Sequence, residues 1–163
     1  MSKLEYRRDA YTSRTIDYLK AVFIAGGLPS SDRYARFSEI AKLLKVSVST
    51  ASIMCRRLES KNLLEVRDNV GVKLTEKGFK VLAEYLWKTA IMEVILYKIG
   101  LGLDNCKQLA SKLAENLDMD SAEKLYKALG EPKTCPHNKP IIHPSKLSPD
   151  KPLEIALCCA LKL

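Results

Sequence analysis

A chain of 163 residues that is 47% hydrophobic is long enough to bury one sizeable core or two small domains. No uninterrupted apolar run approaches about 18 residues, and the first residues lack the apolar segment of a signal peptide, which predicts a cytoplasmic protein without a membrane span. The five cysteines are odd in number and form no CxxC pair, which argues against a disulfide framework.

The net charge of +8 is concentrated in the first half of the chain. Residues 1–88 carry +7 and residues 89–163 carry +1, and every arginine lies at or before Arg67. A charge that served only solubility would not need to be so one-sided. This distribution is typical of a nucleic-acid-binding domain joined to a second domain of a different kind.

The elements predicted first in the chain are three helices. After a charged stretch at residues 1–10, predicted to be frayed or a basic arm, apolar residues at helical spacing predict a helix over residues 12–25. Ser38 is the expected N-cap of a short helix at residues 39–44, and Ser47 of a further helix at residues 48–61. Two helices joined by so short a turn indicate a helix-turn-helix.

The second helix of this pair has two different faces. Ala51, Met54 or Cys55, and Leu58 follow the spacing of a buried face. Hydroxyl residues followed by arginines suit a helix that enters a DNA major groove, because hydroxyls reach bases or phosphates and guanidinium groups reach the flanking phosphates. The residues predicted to form this groove face are Ser47, Ser49, Thr50, Ser52, Ile53, Arg56 and Arg57.

Two short strands are predicted next, at residues 64–66 and 70–74, with a turn at residues 67–69. They would form a hairpin wing, on which Arg67 and Lys73 follow a phosphate track. Arg36 lies in the loop before the helix-turn-helix and is a further candidate for DNA contact. The segment as a whole predicts a winged helix-turn-helix that binds double-stranded DNA.

The second half of the chain is predicted to be helical. Thr75 caps a long helix that continues to Ile99, with or without a break. Further helices are expected at residues 105–117 and, from a capping-box-like start at Asp120 and Glu123, up to Leu129. Their apolar faces favour a homodimer interface.

The predicted fold class is therefore mainly α, with an N-terminal winged helix-turn-helix domain followed by an α-helical dimerisation domain. The expected boundaries are 1–75 for the first domain and 76–131 for the second. A Pro- and Lys-rich loop and an apolar tail, a strand or a helix, fill residues 132–163.

Several segments resemble the diphtheria toxin repressor family, which includes the manganese transport regulators. The segments are residues 18–23 (YLKAVF), 38–62, 71–78 (GVKLTEKG), 102–104 (GLD), 134–137 (TCPH) and 140–141 (PI). The resemblance implies a homodimeric transcriptional regulator, and usually a repressor, that binds a palindromic operator. It also implies that Mn²⁺ or Fe²⁺ bound between the domains switches DNA affinity.

The metal-ligand positions of that family are depleted in this chain. Asp17, Glu93 and Glu115 survive as weak candidate ligands, while both key histidines and two acidic or sulfur positions are replaced. The replacements are Lys20, Thr89, Lys112 and Asn116. Since a Mn²⁺ or Fe²⁺ site needs several oxygen and imidazole donors without ammonium groups beside them, the sequence predicts no confident metal site and a lost or altered metal switch.

The two lysines allow two interpretations. Lys20 and Lys112 could replace the charge of the metal by pairing with Glu115 and Asp17 across the domain junction, which would fix geometry without metal. They could equally be ordinary surface pairs with Asp17 and Glu115 at i,i+3 spacing, worth roughly 0.2–0.5 kcal/mol each. The sequence leaves both open.

Other candidate chemistry is sparse. Cys135 and His137 could form a zinc site with Cys106 or His143, although their spacing favours a simple structural turn. Cys158 and Cys159 are expected to be buried thiols.

An enzyme is disfavoured because there is no phosphate-binding glycine loop or nucleophile elbow. The functions that remain are a sequence-specific transcriptional regulator, a Mn- or Fe-responsive repressor with a non-standard site, and an architectural DNA-binding protein of low specificity.

Overall fold

The structure, a computed structural model, describes residues 11–150. Its helices are α1 (Ser13–Ile24), α2 (Phe37–Leu44), α3 (Val48–Glu59), α4 (Glu76–Lys98), α5 (Leu103–Glu115) and α6 (Met119–Ala128), and its strands are β1 (Leu64–Arg67) and β2 (Gly71–Leu74). A short 3-10 turn follows at Pro144–Lys146. The predicted mainly helical fold, with a hairpin wing after the helix-turn-helix, is confirmed. The predicted N-terminal arm and the tail with Cys158 and Cys159 lie outside the described residues.

The chain forms two compact units, which we call the N-terminal unit (residues 14–82, with 148–150) and the C-terminal unit (residues 83–147). The N-terminal unit is built around side chains of α1, α2, α3 and the hairpin that are at most 1% exposed, apart from Ile16 at 2%. These side chains are Ile16, Leu19, Val22, Ile40, Ala51, Cys55, Leu58, Leu64, Val72 and Leu74. Burial raises the pKa of the Cys55 thiol to about 12, so Cys55 acts as a core residue and not as a reactive thiol.

The helix-turn-helix begins two residues earlier than predicted. Arg36, and not Ser38, is the N-cap of α2, because the Glu39 carboxylate accepts a hydrogen bond from the Arg36 backbone N–H at 2.7 Å. Ser47 caps α3 as predicted, since its hydroxyl oxygen accepts the Thr50 backbone N–H at 3.1 Å. Lys45, with a left-handed φ of 54°, ends α2 between the two caps.

The wing is an antiparallel pair in which Leu64 faces Leu74 and Val66 faces Val72. The preceding loop adds a bridge that the sequence did not predict: Ala35 N–H donates to Val72 O at 2.8 Å, and Val72 N–H donates to Ala35 O at 2.9 Å. Gly71 allows this approach, because a Cβ there would lie 2.4 Å from the Ala35 carbonyl oxygen.

The C-terminal unit begins with the second part of α4, which runs to Lys98 without a break. Its core joins α4, α5, α6 and the following loop through Trp87, Ile91, Cys106, Ala110, Ala122, Cys135 and Ile141. No helix within residues 11–150 has the length and apolarity needed to cross a membrane.

The start of α6 differs from the prediction. Its N-cap is Asp118, not Asp120, because the Asp118 carboxylate accepts hydrogen bonds from both the backbone N–H and the hydroxyl of Ser121, each at 2.8 Å. These bonds, the backbone N–H foremost, lower the pKa of Asp118. The helix therefore starts two residues earlier than a capping box at Asp120 and Glu123 would place it.

Candidate functional site

Helix α3 has the two faces that its sequence predicts. Ala51, Cys55 and Leu58 are at most 1% exposed and pack in the core of the N-terminal unit. The predicted groove face points away from that core: Ser47, Ser49, Ile53, Arg56 and Arg57 are exposed, and Thr50 and Ser52 are half-buried. Packing one face of the helix therefore leaves the hydroxyl and guanidinium groups available to a ligand.

The hydroxyl groups at the start of α3 form a small network. The Ser47 hydroxyl lies 3.1 Å from the Ser49 hydroxyl and 2.8 Å from that of Thr50, in addition to capping the Thr50 N–H. These bonds stabilise the first turn of the helix and use much of the hydrogen-bonding capacity of the three side chains.

Arg56 is held by a wing residue that the sequence assigned only to a turn. Its Nη2 donates to Asp68 Oδ1 at 2.6 Å, and this hydrogen bond raises the pKa of Arg56. Both side chains are more than half exposed, so the pair is reachable from solvent. It borders a cleft of about 610 Å³, which is lined by Arg36, Phe37, Arg56, Asp68, Asn69, Val70 and Gly71.

The other cations of the wing are arranged around Tyr34. The Arg67 guanidinium carbon lies 4.8 Å from the centre of the Tyr34 ring, and Lys73 Nζ lies 4.9 Å from it. The Tyr34 hydroxyl donates to Glu65, whose carboxylate is 3.9 Å from Arg67 and 3.8 Å from Lys73. Tyr34 stands in a segment predicted as loop, so the sequence gave no sign that it orients the wing cations.

The metal-ligand positions taken from the family resemblance do not offer a suitable set of donors. In the N-terminal unit, Asp17 is half-buried and Lys20 is 6% exposed, so an ammonium group occupies a ligand position. In the C-terminal unit, Thr89 stands at a histidine position and its hydroxyl donates to Tyr85 O, one turn earlier in α4, at 2.9 Å. Mn²⁺ and Fe²⁺ require oxygen and imidazole ligands, and these side chains do not fit that requirement.

The later helix offers no better set. Lys112 and Asn116 of this helix are exposed, and Glu115 is half-buried. The Asn116 amide donates to Lys112 O at 3.4 Å, a bond within its own helix. An amide and an ammonium group thus take the place of an imidazole and of an acidic or sulfur ligand.

A different set of donors comes together inside the C-terminal unit. Glu93 of α4, Cys135 and His137 each offer one ligand atom, and these atoms lie within 4.8 Å of one another. Glu93 is 0% exposed and Cys135 3%. His137 Nδ1 is 3.4 Å from Glu93 Oε2, and this nitrogen is buried and makes no hydrogen bond.

This grouping corrects the prediction for the Cys-Pro-His segment. The segment is indeed a turn, since Asn138 N–H donates to Cys135 O at 2.9 Å, but the turn also carries the thiol and the imidazole to Glu93. The suggested partners are engaged elsewhere: the Cys106 thiol donates to Leu101 O at 3.3 Å, and His143 Nε2 lies 2.5 Å from Glu123. Glu93 was missed because it is 42 positions from Cys135 in the sequence, and only packing brings them together.

The donor set of Glu93, Cys135 and His137 fits a transition metal. A thiolate, an imidazole and a carboxylate are ligands of Zn²⁺, and three protein ligands leave a fourth position open. The thiol also makes Zn²⁺ or Fe²⁺ a better match than Mn²⁺, which prefers oxygen ligands.

A basic winged helix-turn-helix followed by a helical domain defines a DNA-binding transcriptional regulator. Residues 10–72 match the family profile "Iron dependent repressor, N-terminal DNA binding domain", and residues 75–143 match "Iron dependent repressor, metal binding and dimerisation domain". The chain belongs to this iron-dependent repressor family, which contains the diphtheria toxin repressor and the manganese transport regulators. Its members are transcriptional regulators and not enzymes.

Individual relatives agree with this assignment. An uncharacterized HTH-type transcriptional regulator of Aeropyrum pernix is 50% identical over 151 residues, which cover 93% of this chain and 83% of the relative. The HTH-type transcriptional regulator MntR of Bacillus subtilis is 25% identical over 109 residues, 67% of this chain and 75% of MntR.

Solved structures show the same fold. The hypothetical protein SSo2273 from Sulfolobus solfataricus aligns with a TM-score of 0.72 at 25% identity, covering 81% of this chain and 99% of that protein. ScaR with bound Zn²⁺ aligns with a TM-score of 0.65 at 28% identity, covering 82% of this chain and 61% of ScaR. The present chain thus spans about three fifths of the length of ScaR.

Proposed function

We propose that this chain is a homodimeric, sequence-specific transcriptional regulator that binds a palindromic operator and whose ordinary metal switch has been lost or altered. The observation that carries the proposal is the exposed hydroxyl and guanidinium face of α3, opposite a fully packed face. The residues assigned to DNA contact are Arg36, Ser47, Ser49, Thr50, Ser52, Ile53, Arg56, Arg57, Arg67 and Lys73. Because base contacts specify sequence and phosphate contacts set position, α3 would supply the first and the wing mainly the second.

In this proposal residues 1–75 bind DNA, residues 76–131 form the dimer, and residues 132–163 add a loop and a tail. Support for the dimer comes from α5, on which Leu103, Leu109 and Leu113 are 40–42% exposed. Exposed leucines on one short helix are well suited to an isologous interface, in which the same patch of two protomers is buried. Two recognition helices related by that two-fold axis would read the two halves of a palindrome.

The altered switch is supported by the side chains at the family's ligand positions. Lys20 is buried, Thr89 is hydrogen-bonded to its own helix, and Asn116 has replaced an imidazole. A dication would be repelled by the ammonium group at position 20 and would find neither histidine. DNA affinity is therefore expected to be independent of Mn²⁺ and Fe²⁺ at these positions.

Operator binding in the presence and absence of metal tests this function. Fluorescence anisotropy would be measured with the protein's own promoter DNA, with random DNA as competitor, after a chelator and after addition of Mn²⁺, Fe²⁺ or Co²⁺. We expect a specificity ratio far above one and no tightening on metal addition. A ratio near one would instead indicate an architectural DNA-binding protein, and stoichiometric metal binding that tightens the operator complex would contradict metal independence.

A second candidate function is a metal-responsive regulator with a non-standard site, which the proximity of Glu93, Cys135 and His137 favours. Addition of Co²⁺, a spectroscopic substitute for Zn²⁺, would show whether the site binds metal, because a thiolate ligand gives a near-ultraviolet charge-transfer band. Cys135→Ser should abolish the band, whereas Cys106→Ser, which alters another buried thiol of the same core, should retain it. No band in the wild-type protein would remove this candidate.

A further inference from the structure

The groove face of α3 contains one apolar side chain that no folding requirement explains. Ile53 is 65% exposed, although it lies in the middle of a helix whose other apolar residues at this level, Met54 and Cys55, are buried. A large aliphatic side chain held in solvent gains nothing for the stability of the unit. Its position among the DNA-contact residues indicates that it becomes buried in the complex.

The polar side chains near Ile53 are largely engaged within the protein. The hydroxyls of Ser47, Ser49 and Thr50 bond to one another, and Arg56 bonds to Asp68. Reading bases with these groups would first require existing hydrogen bonds to be exchanged. Ile53 has no such bonds to lose, so its contact with a base edge costs only the immobilisation of one side chain.

The spacing along α3 places Ile53 on the same side as the arginines. Arg56 and Arg57 follow it at i+3 and i+4, and Ser49 precedes it at i−4, so these residues are neighbours on the helix surface. Guanidinium groups that anchor the helix on the two phosphate strands would direct Ile53 between them, toward the floor of the groove.

We propose that Ile53 is a specificity-determining residue that packs against the C5-methyl group of a thymine in each half-site of the operator. This methyl is the apolar group that base pairs present in the major groove, and it is absent from every other standard base of DNA. The inference rests on the proposed function, since it requires that α3 enters the groove. It adds that part of the sequence preference is read by apolar contact and not by hydrogen bonding.

Replacing thymine by uracil tests this directly, because deoxyuridine lacks only the methyl group. The operator would be obtained by selecting bound fragments from random DNA, and each thymine of the consensus half-site would then be replaced in turn. For the wild-type protein, one replacement per half-site should weaken binding by about fourfold, the value for one apolar carbon removed from a buried contact.

Two variants assign the effect to the side chain. Ile53→Ala should bind the thymine and the uracil operators equally and retain the wild-type unfolding temperature, because the residue is exposed. Ile24→Ala removes another exposed isoleucine, 44% exposed at the end of α1, and should preserve the full difference between the two operators.

The outcomes separate the two proposals. A selected motif without a thymine whose methyl matters, or a uracil effect of equal size in Ile53→Ala, would overturn the assignment of Ile53 and leave the regulator function intact. Failure to select any motif would overturn the proposed function and, with it, this inference.

Discussion

The N-terminal and C-terminal units differ in how the elements of their candidate sites are distributed along the chain. In the N-terminal unit, every residue assigned to DNA contact lies between positions 36 and 73, on the helix-turn-helix and the wing. In the C-terminal unit, the three gathered donors come from the middle of α4 and from a loop that follows α6. The DNA-contact surface retains what its family resemblance implies, whereas the ordinary metal positions do not. DNA recognition and its control are thus separable properties of this fold.

The largest expected effect concerns the C-terminal unit. Replacing Leu109 and Leu113 by Glu would put charges into the proposed interface of α5, and the dimer should dissociate to monomers in sedimentation experiments. Affinity for a two-half-site operator should then fall roughly 100-fold or more, because one protomer cannot engage both halves. Gln108→Glu, which adds one charge on an exposed neighbouring position, should leave the dimer intact. A double variant that is still dimeric would show that the interface lies elsewhere.

The next effect concerns the groove face. Arg56→Ala with Arg57→Ala should weaken operator binding roughly 10- to 100-fold and reduce the slope of log K against log salt by about 2, one for each lost phosphate contact. The dimer should be unaffected. Lys124→Ala with Lys127→Ala removes the same charge from exposed positions of α6 and serves as the control. If both double variants weaken binding equally, the effect arises from net charge and α3 does not enter the groove.

A smaller effect of opposite sign is expected from the wing. Asp68→Asn should tighten operator binding by up to about fivefold, because it frees Arg56 from an exposed ion pair worth at most about 1 kcal/mol. Asp32→Asn, which removes an exposed carboxylate from the loop before α2, controls for the change in net charge. Equal tightening by the two variants would mean that Asp68 does not compete with DNA for Arg56.

The smallest effect concerns the stability of the C-terminal unit. Asp118→Ala should lower the free energy of unfolding by about 1 kcal/mol at pH 7 through loss of the α6 cap. Because the pKa of Asp118 is lowered in the folded state, its contribution is present above the unfolded pKa and is lost as the pH falls below about 4.

Chemical denaturation at several pH values would measure this difference. The gap between wild type and Asp118→Ala should narrow in acid, and Asp118→Asn, which retains the capping oxygen, should stay near the wild type at pH 7. A gap that does not change with pH would show that the charged carboxylate contributes nothing beyond a neutral cap.

The elements that local sequence determines were predictable. The helix-turn-helix follows from the 3.6-residue spacing of Ala51, Cys55 and Leu58 and from the cap at Ser47, all of which depend on neighbours within two turns. The wing follows similarly from two short β-prone segments around a turn. The errors at Ser38 and Asp120 are shifts of two residues, and they arose where two acceptors compete for the first turn of a helix.

Tertiary contacts were not predictable from the same reasoning. Tyr34 and Asp68 looked like loop residues, and only the bridge between Ala35 and Val72 and the fold of the wing bring them to Lys73 and Arg56. Glu93 was recognised as a possible ligand and Cys135 as a possible donor, but nothing in their spacing joins them. Packing of a loop on a helix, which depends on the whole core, decides such sites.

The most direct test of the account is selection of bound DNA fragments from a random pool, carried out in parallel with a metal chelator and with added divalent metal. The account predicts the same palindromic motif under both conditions, because α3 supplies the specificity and the ordinary metal ligands are replaced. A motif that is recovered only with metal would contradict the loss of the switch, and the absence of any motif under both conditions would contradict sequence-specific regulation.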